Sequence, residues 1–433
     1  MLRILNKYIL LLIGVILFAA ASNINWGNNN WKNIILSDGK GYYAYLPAVF
    51  IYHDLHLNFF DSIEKTYYYK NTYYDYRASD AAGHVVDKYY SGTAVLMLPF
   101  FLQAHALTKA TNGAADGYSR LYPIFINGAA IFYLLAGLFF LKRLLSLHTE
   151  NKTIVSFVLV AFVFGTNLFY YAIVEPAMSH VYSFFCVTAL LFYFKNYSLS
   201  HRNSSLYLFT LFWGLIILIR PVNEIILLAL PFLCKDLREF QQTIKLIFKN
   251  IFLVTKCLLI FLVVISIQFI IYKIETGHFF VDTYSQEHFN WLHPEFVNIL
   301  FSYKKGLFIY TPLVFLSCAG LIILFKQNRY QFFTFLGFFI LLTYLLSAWW
   351  CWYYGGSFGL RAYIEFYALF AILLTVTLNT IRSNAVKKII YGLVIATILL
   401  CIIQTYQFRY YQIHWSEMTR EKYWDAFLRI DRL

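Results

Sequence analysis

Apolar residues gather in long runs along most of the chain, and polar residues gather between them. The runs cover 5–23, 121–141, 153–171, 180–195, 206–220, 222–234, 251–272, 306–325, 331–348, 363–381 and 389–407. A helix crossing a bilayer needs about 20 apolar residues. The pattern therefore predicts an all-α polytopic membrane protein with about eleven transmembrane helices. The 222–234 run is short and fits only a tilted or partly buried helix. A further short run, 93–107, carries Pro99, Gln103 and His105 and fits a re-entrant or interfacial helix. Between the runs lie a long first loop (24–120), a second (273–305), a third (349–362) and a tail (408–433). The expected division is a membrane-embedded unit over 1–407, with interfacial helices in its first loop, followed by an amphipathic tail over 408–433. In that tail Trp415, Met418, Tyr423, Trp424 and Phe427 form an apolar stripe at helical spacing.

Composition agrees with this pattern. Of the 433 residues, 60% are hydrophobic and only 13% charged, about half the charged share of an average soluble protein. Soluble enzymes, disordered scaffolds and nucleic-acid binders are set aside. The six cysteines are scattered without a CxxC spacing, so neither a zinc site nor a disulfide framework is indicated.

The net charge of +13 gains its meaning from its placement. With 93–107 kept from crossing, the short basic segments share one side: Arg3/Lys7, Lys142/Arg143/Lys152, Lys195/Arg202, Lys235/Arg238/Lys245/Lys249, Lys326/Arg329 and Arg382/Lys387/Lys388. Only Glu150, Asp236 and Glu239 accompany them there. Short basic loops stay cytoplasmic, so the N-terminus is expected inside and the long loops outside. A signal peptide is the rival reading of the first run, because Arg3 and Lys7 precede an apolar stretch ending in AlaAlaAlaSer (19–22). Whether residues 1–22 are retained as a span is left open.

The cytoplasmic loops carry no Gly-rich phosphate motif, so chemistry is sought on the outer side. Asp38 lies 15 residues beyond the end of the first run, within SerAspGlyLysGlyTyrTyrAlaTyrLeuPro (37–47). Gly39 and Gly41 allow a tight turn there. Tyr42 and Tyr43 open an aromatic helix expected at the membrane surface and are candidate substrate contacts. An N-cap would explain Asp38 equally well. Lys88 is the last charge before the 93–107 run. Glu175 and His180 lie in TyrTyrAlaIleValGluProAlaMetSerHis (170–180), near the outer surface, where ionisable groups are functional candidates. Cations recur at outer span ends: Arg220 before Pro221, Lys304/Lys305, and Arg361 behind GlyGlySerPheGlyLeu. Such a set suits an anionic headgroup. Anchoring to lipid headgroups is the competing reading, favoured for Lys304 and Lys305.

The order of these features resembles a family. An acidic residue sits early in a long outer loop, a lysine turn leads into a short apolar helix, and ArgLeuTyrPro (120–123) opens the next span. With GlyLeuPheIleTyrThrPro (306–312) and TyrGlyGlySerPheGlyLeuArg (354–361), the chain resembles the GT-C glycosyltransferases. Within them it is similar to the branch of the protein O-mannosyltransferases and the lipid A aminoarabinose transferase, and more closely to a bacterial subgroup. The resemblance implies a GT-C-like fold in a bacterial inner membrane with an extracytoplasmic active site. It implies a polyprenyl-phosphate sugar donor, a lipid, glycan or protein acceptor, and inverting transfer of a hexosyl or pentosyl group. It matches the family's catalytic base to Asp38, its phosphate-contacting lysine to Lys88 and its late arginine to Arg361, with Arg220 as a further phosphate contact. Many members carry two adjacent acidic residues where this chain has Asp38–Gly39, so a divalent metal is not supported and no metal ligand or cofactor is assigned. A flippase for lipid-linked sugars and an oligosaccharide polymerase or ligase are the alternatives.

Overall fold

A computed structural model describes residues 2–80, 82–284 and 287–431, without the side chains of 2–5. Six of the expected runs form helices long and apolar enough to cross a membrane: Asn6–Asn25, Leu121–Leu145, Ile251–Thr276, Arg329–Ser347, Arg361–Thr380 and Asn384–Arg409. The chain is accordingly an integral membrane protein. The helices differ in environment. Of Arg361–Thr380, 89% is buried within the protein, against 11% of Ile251–Thr276. The former is therefore the central post of the bundle and the latter an outer wall.

The other five runs depart from the expected eleven continuous spans. His180–Ser200 is long enough but carries Ser183, Thr188 and several tyrosines. It is buried between Leu121–Leu145 and Asn203–Ile219, so its polar side chains meet protein rather than lipid. Lys152–Phe164 stops at Gly165, and the chain restarts as Leu168–Ile173. The 306–325 run is broken at Thr311 and Pro312, because proline lacks an amide donor and disfavours helix in the residue before it. Pro221–Leu233 is a 13-residue 3-10 helix. Its rise of about 2 Å per residue carries it roughly 26 Å, so a run too short for an α-helical span reaches nearly across a hydrocarbon core.

The first loop is ordered throughout its described length. Helix Asp38–Pro47 continues through a π-turn, Ala48–Tyr52, to helix Phe60–Tyr67. A short antiparallel hairpin pairs Arg77–Ser79 with Val85–Asp87. The 93–107 run lies in a single helix, Gly92–Ala110, packed on Leu121–Leu145 and on Asp38–Pro47. The C-terminal tail corrects the expected amphipathic helix, for only Arg420–Ala426 is helical. Upstream, His414 Nδ1 accepts hydrogen bonds from the amides of Ser416 and Glu417, a local closure that competes with helix. The stripe divides accordingly: Met418 and Tyr423 are buried, whereas Trp415 and Trp424 stay half exposed.

Candidate functional site

The first-loop helix reaches the site because of its glycines. A Cβ on Gly39 would stand 2.8 Å from Ala177 Cβ. Both Gly39 and Gly41 lie inside a helix. Their role is close approach, not the tight turn expected from sequence. The turn itself falls on Ser37, which adopts φ 49° and puts Asp38 at the helix start.

Asp38 meets Arg361 across 323 residues of sequence, with Arg361 Nη2 2.7 Å from Asp38 Oδ2. Burial pushes the Asp38 carboxyl up. The Arg361 charge and the hydroxyls of Tyr89 and Tyr74 outweigh burial and hold it below the usual aspartate value. Arg361 is aimed by the glycine turn before it. Gly355 and Gly359 take positive φ. Asn167 Nδ2 donates to Phe358 O at 3.0 Å, and the Phe358 amide donates to the Tyr171 hydroxyl at 3.1 Å.

One helical turn beyond Arg361, Glu365 is fully buried. Its Oε1 accepts from Arg220 Nη1 at 3.3 Å and bonds His180 Nδ1 at 2.9 Å. Arg220 is extended where Pro221 ends the preceding helix, which turns its side chain inward. Tyr42 lies within the fields of Arg220, Asp38 and Arg361 and beside Ser179.

Glu175 occupies the segment opposite. Tyr170 donates to its Oε1 at 3.0 Å. Burial raises its carboxyl to about 7, against the lowering effect of Arg361 and Tyr170. Lys305 is its cationic neighbour. It is 1% exposed, donates to Ser357 O, and is pulled down by burial to about 7. Anchoring to lipid headgroups is therefore overturned for Lys305, since a snorkelling lysine must reach water.

Asp38, Arg361, Arg220, Glu175, His180 and Tyr42 are thus brought into one neighbourhood. Lys88 lies at its edge, beside Tyr89 and Tyr284, and is paired with Glu287. Tyr43 is excluded. Its hydroxyl donates to Gly117 O and its ring packs on Phe101 and Tyr118, because consecutive residues on a helix face different sides. Glu365 is the residue that sequence reading missed, and Lys305 the one it assigned to anchoring. A glutamate inside an apolar run was the available signal for the first.

Among the described residues no three His, Cys, Asp or Glu side chains gather as a metal site. At Asp38 the donor set does not fit a divalent ion, because Arg361 already occupies the carboxylate. No protein-family model matches the chain, and no curated protein matches it. Among solved structures, it is similar to the archaeal oligosaccharyltransferase AglB from Archaeoglobus fulgidus, in complex with an inhibitory peptide and a dolichol-phosphate. The identity is 11%, the TM-score 0.47, and the match covers 97% of this chain and 57% of that chain. A likeness at this level assigns neither site nor activity, and this chain spans little more than half of that protein.

Proposed function

We propose that the chain is a membrane glycosyltransferase that moves a sugar from a polyprenyl-phosphate donor to an acceptor hydroxyl, with inversion. In this reading residues 1–407 form the catalytic unit and 408–433 a tail over its outer face, in a bacterial inner membrane with the long loops outside. The observation that carries the reading is the pairing of a first-loop carboxylate, Asp38, with Arg361, beside the Arg220–Glu365 pair.

The chemistry asks for this set. A glycosidase needs two carboxyl groups because its leaving alkoxide must be protonated. A phosphate leaves as a stable anion, so one carboxylate suffices as general base. Asp38 takes the proton of the acceptor hydroxyl. The acceptor oxygen then bonds to the anomeric carbon on the face opposite the phosphate. The bond from that carbon to the phosphate oxygen breaks, and its electron pair stays on the polyprenyl phosphate. Arg361 and Arg220 answer the charge that develops there.

The Asp38–Arg361 pair adds a coupling to this scheme. Asp38 alone with Arg361 is a weak base, because its proton affinity is suppressed by the neighbouring charge. A donor phosphate that engages Arg361 shares that charge and returns basicity to Asp38. The base is then strongest when the donor is bound. Lys88 contributes only after exchanging Glu287 for phosphate, which ranks it below the two arginines.

Polyprenyl phosphate binding to the full chain in nanodiscs tests the reading. Removing a charge-assisted phosphate contact costs about 1.5–3 kcal/mol, so Arg220→Ala should bind roughly ten- to a hundredfold more weakly. Affinity equal to wild type, or equal affinity for a bulk phospholipid, would contradict it.

A further inference from the structure

A second group of buried polar side chains lies where the first-loop hairpin meets the outer end of helix Ile251–Thr276. Gln268, Tyr272 and Glu275 are four and three residues apart along that helix and so share one face. This face meets the strand Val85–Asp87 and the residues after it. The Ser91 amide donates to Gln268 Oε1 at 2.8 Å and pins the two segments together. The Asp87 carboxylate lies in the electrostatic neighbourhood of Glu275, and the Glu275 carboxylate lies beside the Asp87 amide.

What distinguishes this joint is how many of its polar atoms lack partners. Asp87 Oδ1 accepts from the Tyr89 amide at 2.9 Å, yet Asp87 Oδ2 makes no hydrogen bond. Neither do both carboxylate oxygens of Glu275, the Ser91 hydroxyl, or the Tyr272 hydroxyl, which lies near Tyr90 and Thr283 without bonding geometry. All four side chains are at most 3% exposed. No lysine or arginine among the described residues pairs with either acid. Lys88, adjacent in sequence, is turned to Glu287, and Lys273 bonds Gly277 O. An uncompensated buried carboxylate costs several kcal/mol. One proton shared between the two carboxyls would still leave a net negative charge and the Tyr272 hydroxyl unanswered.

We infer that Asp87 and Glu275 hold a divalent cation of the calcium type, with the Tyr272 hydroxyl as a further oxygen ligand. Two carboxylates carry the charge that one divalent ion neutralises, and every group on offer is a hard oxygen donor. Calcium accepts such mixed and irregular oxygen sets, whereas magnesium gives up its water reluctantly. With only two carboxylates, solvent completes the coordination. A cavity of about 470 Å³, lined in part by Tyr90, Gln268, Tyr272 and Asp282, opens beside the joint. Neither acid lines it, but Tyr272 does, so it puts room for water beside one of the ligands, with the Asp282 carboxylate at its edge. The ion would tie the segment carrying Lys88 and Tyr89 to the membrane helix. Since Tyr89 also reaches Asp38, cation binding would steady one wall of the candidate site.

The test uses the full chain in detergent, stripped with EDTA and dialysed, with calcium chloride as the probe and magnesium chloride as comparator. Elemental analysis of the reloaded protein should find about one calcium per chain. The unfolding midpoint should rise by a few degrees at saturating calcium, because an ion bound only to the folded state stabilises it by mass action. Asp87→Asn and Glu275→Gln, singly and together, should abolish both effects. A wild-type chain that retains no calcium and shows no shift overturns the inference, whether or not the variants fold. So does a calcium shift that persists in the double variant. Neither readout depends on sugar transfer, so this result and the proposed function stand or fall separately.

Discussion

Two carboxylate sites in the first loop lie 49 residues apart and are treated in opposite ways. Around Asp38 two of the buried acids meet basic side chains: Arg361 pairs with Asp38, and Arg220 and His180 converge on one oxygen of Glu365. Around Asp87 and Glu275 no lysine or arginine among the described residues pairs with either acid. The first arrangement is self-neutralised and releases its charges only to a ligand that competes for them, as a phosphate competes for Arg361. The second is incomplete as protein and calls for a cation. Burial alone does not say what a carboxylate does; its nearest opposite charge decides.

The largest expected effect breaks the first site chemically. Asp38→Asn keeps the shape of the side chain and removes the base. Transfer should fall about 10²–10⁴-fold while the unfolding midpoint stays within a few degrees. A drop below tenfold would take Asp38 out of the chemistry.

Next comes removal of the answering charge. Arg361→Ala leaves Asp38 mostly buried without its cation and should destabilise the protein by roughly 3 kcal/mol, read by denaturant unfolding in detergent. Arg361→Lys should recover part of this. A loss below about 1 kcal/mol would mean that the pair is held in solvent.

Glu175 sharpens the comparison through pH. Its folded pKa, about 7, lies above the ordinary glutamate value of 4.5. Between these values the folded chain binds more protons than the unfolded one. Stability should therefore fall as pH rises from about 4.5 to about 7 and then level off with respect to this group. Glu175→Gln should flatten that slope, with a difference of about 3 kcal/mol across the window. Parallel pH profiles for the two proteins would refute the shift.

The smallest effect concerns the excluded neighbour. Tyr43→Phe should lose about 1 kcal/mol for its buried hydrogen bond to Gly117 and leave transfer unchanged. A transfer defect without loss of stability would return Tyr43 to the site.

Apolar run length made six long helices readable from the chain, because lipid-facing helices must be apolar throughout. His180–Ser200 shows where that rule ends: once other helices surround it, serine and threonine become acceptable and the signal fades. The 3-10 geometry of Pro221–Leu233 was hidden, since an apolar run of 13 residues reads alike in either helix type. Arg361 and Arg220 were marked by their positions at span ends, and Asp38 by its place early in the long first loop. Their pairing was not readable, since Asp38 and Arg361 meet across almost the whole chain and Arg220 answers Glu365 instead. Glu365 was overlooked inside an apolar run, although an acid in such a run must have a partner or a ligand to be there. Glu275 reads as a helix-end residue in the sequence, and only the fold brings Asp87 against it.

The most direct measurement compares the envelope glycolipids and glycoproteins of cells lacking the gene, complemented with either wild type or Asp38→Asn, by mass spectrometry. A sugar present with wild type and missing with Asp38→Asn, at equal protein levels, is the expected result. Identical glycan profiles from both complemented strains and the deletion would contradict glycosyl transfer at Asp38.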